Sequence, residues 1–365
     1  MNYPKFDFDD ILIVPTVYSD IESRYNNIKL PEQLPLFTAP MDTVVNLKNI
    51  KHFLNLGINV TLPRTISEEQ FIDDFVYNKI YSKGIKNLQA YNNVFTSLGF
   101  GEIDKLLNGG CRLLRNDAHI LIDVANGHMT KIIDYAKRIK EIRPDAVIMV
   151  GNIANPETYL WYAQSKVVDY VRVGIGNGGG CLTTKQSGVG YPMASLISEI
   201  RTKKLEYVYD NQGDNLHFPP AIVADGGMKD YSDVIKALAL GADYVMLGSI
   251  FNKSIESCAP NYFHGVKING KLAGYLFDKG YPVKKYFRGM STKEAQKAMG
   301  KKTYKTSEGV VRYRRVEYHL DGWVHNFEHY LRNAMSYSGA KTLDEFRGKA
   351  EIIQITKNAY DRFNK

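Results

Sequence analysis

The feature that most constrains this chain is a repeated signal. Eight short apolar runs rich in β-branched residues, at 36–39, 58–62, 93–98, 120–124, 147–150, 170–173, 221–224 and 244–247, are separated by polar and amphipathic stretches. Strands that are apolar on both faces belong to parallel sheets covered by helices. Two intervening stretches carry helical stripes: Ile132, Ile133, Tyr135, Ala136, Ile139 and Ile142 in 131–142, and Val234, Ile235, Ala237 and Leu238 in 231–240. These stripes read as core. Eight such strands in an α/β chain predict a closed TIM-type (β/α)8 barrel.

A barrel of about 250 residues leaves room, in 365, for an appendage. The alternation stops near residue 265, so 266–315 reads as a flap, 323–334 as a closing helix and the rest as a tail, within one catalytic domain spanning 1–365. The formal charge of +8 comes from 47 basic against 39 acidic residues spread along most of the chain. Small anionic ligands account for that excess as well as nucleic acid does, and nucleic acid is disfavoured as the main partner. Cys111, Cys181 and Cys258 are the only cysteines and show no CxxC or zinc-ligand spacing. A disulfide framework is therefore not expected, and a reducing cytoplasm is the natural home. The acidic start MNYPKFDFDD is unlike a signal peptide, and no apolar stretch is long enough for a membrane span.

Several runs end in a short polar or glycine-rich signature: APMD, DVANG, VGN, VGIGNGGG, ADGG and LGS. In a barrel these loops converge on one face, where chemistry takes place. The segment 173–190, VGIGNGGGCLTTKQSGVG, holds seven glycines around Cys181 and Thr183. Glycines permit positive φ and let backbone amides approach a ligand, and a thiol among such amides can serve as a nucleophile. Taken alone, the segment is equally compatible with a mobile loop carrying an incidental cysteine. Asp225 in ADGG is placed to accept from ribose hydroxyls, while Gly226 and Gly227 offer amides to a phosphate. Gly248 and Ser249 close the eighth run, where barrels of this kind complete a phosphate site.

Nine ordered motifs across the chain carry a wider likeness: SR at 23–24, APMDTV at 39–44, DVANG at 123–127, GIGNGGGCLTT, GVGYP at 188–192, ADGG, LGS, FRGMS at 287–291 and YKTSEG at 304–309. With them the chain resembles the family of inosine-monophosphate dehydrogenases and guanosine-monophosphate reductases. The two activities share a purine joined through C2 to the cysteine sulfur. The dehydrogenase removes hydride and then adds water; the reductase expels ammonia and then accepts hydride. DVANG, GVGYP and YKTSEG match reductase forms, and only about thirty residues separate the second and third runs, which leaves no room for an inserted CBS-type regulatory domain. The dehydrogenase's water-activating Arg-Tyr pair is absent between Met290 and Glu308; Arg312-Tyr313 lies on the other side of Glu308. APMDTV and FRGM are closer to the dehydrogenase.

The resemblance thus implies NADPH-dependent reduction of GMP to IMP and ammonia. The alternatives are IMP dehydrogenase, and a reductase acting on a deoxy or modified guanine nucleotide. It assigns Cys181 to attack at C2, Thr183 and Glu308 to relay a proton to the departing amine, and Glu308 to hold the purine edge. Asp225, Gly226, Gly227, Gly248, Ser249, Arg288, Gly289, Met290, Ser307 and Gly309 then line the nucleotide site. Asp123, Val124, Ala125 and Arg64 lie by the nicotinamide. Ser23 and Arg24 reach the adenosine end from a neighbouring subunit of a homotetramer, an arginine there suiting a 2′-phosphate; Arg24 as an ordinary surface charge is the alternative. Backbone carbonyls of Gly176, Gly178 and Cys181 are implied potassium ligands. Three positions depart from the family pattern. Gly179 stands where a serine helps hold the 5′-phosphate, Gly180 replaces a small apolar residue, and Leu182 replaces a threonine common in reductases. Either backbone amides suffice for the phosphate or the preferred nucleotide differs.

Overall fold

The computed structural model describes residues 4–66, 93–109, 118–211, 218–300 and 309–363. After an N-terminal strand, β1 (Ile11–Val14), all eight apolar runs form strands: β2 (Leu36–Thr38), β3 (Val60–Leu62), β4 (Val94–Leu98), β5 (His119–Asp123), β6 (Val147–Ile153), β7 (Tyr170–Val173), β8 (Ala221–Asp225) and β9 (Tyr244–Leu247). They pair in parallel in the order β2-β9-β8-β7-β6-β5-β4-β3. Asn59 sews the two ends together. Its amide donates to Leu36 O (2.9 Å), its carbonyl accepts from Thr38 N–H (2.9 Å), and its Nδ2 donates to Leu34 O (3.2 Å) and Leu36 O (3.0 Å). Asn59 is buried, so these bonds replace water that cannot reach the seam. The architecture is a (β/α)8 barrel.

Successive side chains on a strand point to opposite faces. One set meets the surrounding helices; the other fills the barrel with Phe37, Phe95, Leu121, Met149, Val223 and Met246, against which Tyr170 and Tyr244 pack. Edge-to-face ring pairs, Phe37–Phe95 at 5.5 Å, Phe37–Tyr244 at 5.2 Å and Phe95–Tyr170 at 5.4 Å, make this a solid plug. A ligand is therefore confined to the rim. The helices Lys131–Ile142 and Tyr231–Ala239 bury the stripes read from their sequences, apart from Ile142, which is exposed at its helix end. Asp230 caps the second of these by accepting from Asp233 N–H.

Beyond the barrel the chain forms a second sheet from β10 (Asn261–Phe263), β11 (Val266–Ile268), β12 (Lys284–Arg288) and β13 (Val311–Arg315), ordered β11-β10-β12-β13 and antiparallel throughout. It starts earlier than the flap boundary expected at 266, because Asn261 and Tyr262 pair with both β11 and β12. The closing helix, Leu320–Tyr337, is longer at both ends than 323–334. What reads as a tail is built structure: a helix, Leu343–Lys349, leads to β14 (Glu351–Gln354), which pairs with β1 in the register Ile11↔Gln354 to Val14↔Glu351. Among the described residues no helix is long and apolar enough to cross a membrane.

Lys285, on β12, is buried, with Nζ donating to the carbonyls of Ile255 (2.9 Å) and Ser257 (2.6 Å). Neutral acceptors do not replace the hydration of a full charge, and burial lowers its pKa to about 8. The folded protein releases this proton before the unfolded chain does. Stability from this group is therefore lowest below about pH 8 and rises as pH approaches the ordinary lysine value near 10.4. Urea melts of wild type and Lys285→Met should diverge over that window by about 3 kcal/mol in favour of wild type. A pH-independent difference would rule out the buried, readily deprotonated lysine.

Candidate active site

At the rim above the aromatic plug, Arg172 from β7 points into the barrel. Its Nη1 donates to Asp123 Oδ1 at the end of β5 (2.8 Å) and its Nε to Asp225 Oδ2 at the end of β8 (2.9 Å). Burial alone would lower the Arg172 pKa, but Asp225 and then Asp123 outweigh it, so the pKa is raised. Asn152, at the end of β6, adds a second donor to Asp225 Oδ2 (2.8 Å) and also bonds Gly174 O (2.8 Å). Asp225 is therefore held from two sides on Oδ2, and no donor among the described residues takes Oδ1, which leaves that oxygen for a ligand.

The glycine-rich loop leaves β7 over this framework. Gly226, at φ +92°, lies so close to it that a Cβ there would stand 2.8 Å from Gly178 N, so the ADGG turn and the cysteine loop fit only through glycine. Cys181 N–H donates to Gly178 O (2.9 Å), and the Cys181 thiol donates to Thr183 Oγ1 at 3.2 Å. The second sheet clamps the loop from above. Cys181 pairs with Gly309 in an antiparallel bridge, and Val310 N–H donates to Gly180 O (3.0 Å). Gly180 and Gly289 touch: a Cβ on Gly289 would stand 2.4 Å from Gly180 O, and one on Gly180 would stand 3.1 Å from Phe287 and 3.2 Å from Gly289. That contact accounts for the glycine at 180.

Gly248 and Ser249 follow β9, with Gly248 against Met41 and Ala39. Arg288 ends β12 in an ion pair with Asp42 of the APMD loop, joining the flap to the rim; Met290 follows the clamp glycine. Val124 continues beyond β5, bonded to Gly151 O and accepting from Asn152 N–H, with Ala125 exposed after it. Arg64, beyond β3, crosses Gly99 to meet Glu102 with Nη2 at 3.1 and 3.2 Å. Burial works against the Glu102 carboxylate, but Arg64 outweighs it and keeps its pKa below the ordinary range. Gly176 packs against Thr184.

Ser23 and Arg24 are held apart from this cluster. Arg24 Nη1 donates to Asn333 Oδ1 (2.7 Å) on helix Leu320–Tyr337, and that helix packs on the outer layer through Trp323 and Tyr231. Glu308 and Ser307 lie outside the described residues. Asp42 and Asn152 lie in the APMD and VGN signatures without having been singled out, and Arg172 and Glu102 lie outside every motif read from the sequence. The one clear signal was Arg172 itself: an arginine within the apolar run YVRV has to find a counter-charge if the strand is buried on both faces.

A closed parallel barrel carrying a thiol, a hydroxyl and a carboxylate pair at the carboxyl ends of its strands is the scaffold of a barrel enzyme. The IMP dehydrogenase / GMP reductase domain model matches residues 5–362, and the chain belongs to that family of oxidoreductases. It is similar to the GMP reductase of Onchocerca volvulus (30% identity, covering 99% of this chain and 94% of that protein) and to the GMP reductase of Caenorhabditis elegans (30%, 99% and 95%). It is also similar to human GMP reductase 1 (28%, 97% and 96%).

Removing the Arg172 cation would leave two carboxylates facing each other at the rim. Arg172→Leu should lose about 3–5 kcal/mol of unfolding free energy at neutral pH in urea melts. A loss within about 0.5 kcal/mol would show that the ion pairs do not hold the rim together.

Proposed function

We propose that the chain is a GMP reductase, releasing IMP and ammonia from GMP with NADPH as the hydride source. The observation that carries this reading is the Cys181 thiol 3.2 Å from the Thr183 hydroxyl, within a loop bridged to Gly309, the residue next to Glu308 in the chain. In this reading the sulfur bonds to C2 of the purine and the C2–N bond breaks. Thr183 and Glu308 deliver the proton that lets the amine depart as ammonia, since an amide-like anion is too poor a leaving group. The product of this step is a purine joined to Cys181 as a thioimidate. Nicotinamide, when bound, supplies the hydride that C2 then accepts. The C–S bond breaks, the electron pair returns to sulfur, and IMP is released.

Asp225 Oδ1 is the proposed ribose acceptor, and the Gly226 and Gly227 amides face the phosphate. On the cofactor side, Arg64 and Asp123 border the nicotinamide. The buried Arg64 Nε has no hydrogen-bond partner among the described residues, which fits a polar ligand at that end of the rim. Ser23 and Arg24, placed on the outer layer, fit contact with a cofactor held by a neighbouring subunit of a tetramer. Potassium would be held by the carbonyls of Gly176, Gly178 and Cys181, of which Gly178 O already accepts from Cys181 N–H and keeps one lone pair.

The second sheet favours reduction over hydration. Tyr313 packs edge-on against Tyr262 (4.9 Å) and Tyr286 (5.8 Å), on the face of the sheet opposite Phe287, so the Arg312-Tyr313 pair does not present its tyrosine to the cysteine loop. Incubation with GMP and NADPH should consume NADPH and release ammonia in equal amounts. Cys181→Ala should lower kcat by at least about 10³-fold. Oxidation of IMP with NAD, with GMP left untouched, would replace this reading by the dehydrogenase.

A further inference from the structure

We propose that Arg314 is a phosphate-binding residue of this site, acting from the second sheet in the place where the loop carries only Gly179. The proposal rests on the reading above in one respect, that the ligand is a purine nucleotide.

Four of the five residues of β13 are exposed; Arg314 alone is half-buried, turned towards the barrel. Its guanidinium lies over the Phe287 ring, 4.2 Å from the centroid. No described residue forms an ion pair or hydrogen bond with it, and Glu317, the nearby carboxylate, is engaged by Lys253 at 3.0 Å. Burial, and after it the charge of Arg312, hold the Arg314 pKa below its ordinary value, which marks a cation stripped of water with too little counter-charge around it. An arginine does not lose its proton under these conditions, so the balance has to come from an anion.

The position of the guanidinium identifies that anion's place. A Cβ on Gly179 would stand 3.2 Å from Arg314 Nη2, closer than side chains ordinarily approach. A side chain at 179 and the arginine at 314 thus compete for one volume, and this chain fills it from the sheet. Gly178, the preceding residue of the loop, touches Gly226 of the ADGG turn. The amides of Gly179 and Gly227 make no loop or turn backbone hydrogen bond among the described residues. A planar fork beside open amides suits a tetrahedral dianion better than a carboxylate side chain, because several oxygens can be met at once. The stack on Phe287 fixes the guanidinium before a ligand arrives, which lowers the entropy lost on binding.

The test compares phosphorylated and unphosphorylated ligands. Dissociation constants for GMP, guanosine, IMP and inosine are measured calorimetrically with wild type, Arg314→Gln, Arg314→Lys and the double variant Gly179→Ser/Arg314→Gln. In Arg314→Gln, GMP and IMP should weaken by about 10²-fold while the nucleosides change by less than about 2-fold. KM for GMP should rise in step, with kcat at saturation nearly unchanged. Arg314→Lys should recover part of the loss, and so should the serine in the double variant, since it restores a donor in the vacated volume. Equal weakening of nucleotides and nucleosides would mean that Arg314 only supports the fold, and unchanged GMP binding would remove it from the site; either result overturns the proposal. Binding does not depend on turnover. A wild type that binds GMP through Arg314 without reducing it overturns the reductase reading alone, and one that reduces GMP without needing Arg314 overturns this inference alone.

Discussion

The rim of this barrel depends on one cation shared by two carboxylates. Arg172 reaches from β7 to Asp123 on one side and Asp225 on the other, so three strand ends that diverge by sheet twist are fixed relative to one another. A guanidinium is suited to this because its donors point in set directions and it keeps its charge when buried. Two acids against one base leave the cluster with a net negative charge. An anionic ligand settling on the rim therefore depends on amides, and on cations brought from outside the barrel, to offset that field.

Those cations come from the second sheet. Its strands cross above the cysteine loop and touch it through glycines, Gly180 against Gly289 and Cys181 against Gly309, so that backbone meets backbone with no side chain between. Arg288 from the same sheet reaches down to Asp42. The sheet thus supplies the roof, the hydrogen bonds that shape the loop, and positive charge, while the barrel supplies the floor and most of the acids.

The eight barrel strands were legible because each is a short, largely apolar run, the pattern that two-sided burial favours, and because several of the runs end in a loop of distinctive composition. The cysteine loop stood out by its seven glycines, though taken alone it did not separate a site from a mobile loop. The second sheet was read only as a flap, since strands such as VRYRR are polar, exposed and short, and nothing in their sequence marks their pairing. β1 and β14 pair across almost the whole chain, so neither run predicts the other. Arg172 was passed over because a single charge inside an apolar run does not name its partners; Asp123 and Asp225 sit 49 and 53 residues away on different strands. Asp225, read as a ligand acceptor, turns out to serve the framework with one oxygen, a division of labour that no motif encodes.

The bridge between Cys181 and Gly309 also bears on how the molecule comes into being. The loop that carries the thiol is synthesised with β7, but the backbone that completes its hydrogen bonds emerges more than a hundred residues later. A ribosome-bound chain ending just after β9 would own every barrel strand and still hold its Cys181 thiol in an unfinished loop. Competence therefore arrives as a late event in biogenesis, when the second sheet docks, and the barrel that precedes it is a scaffold awaiting its chemistry.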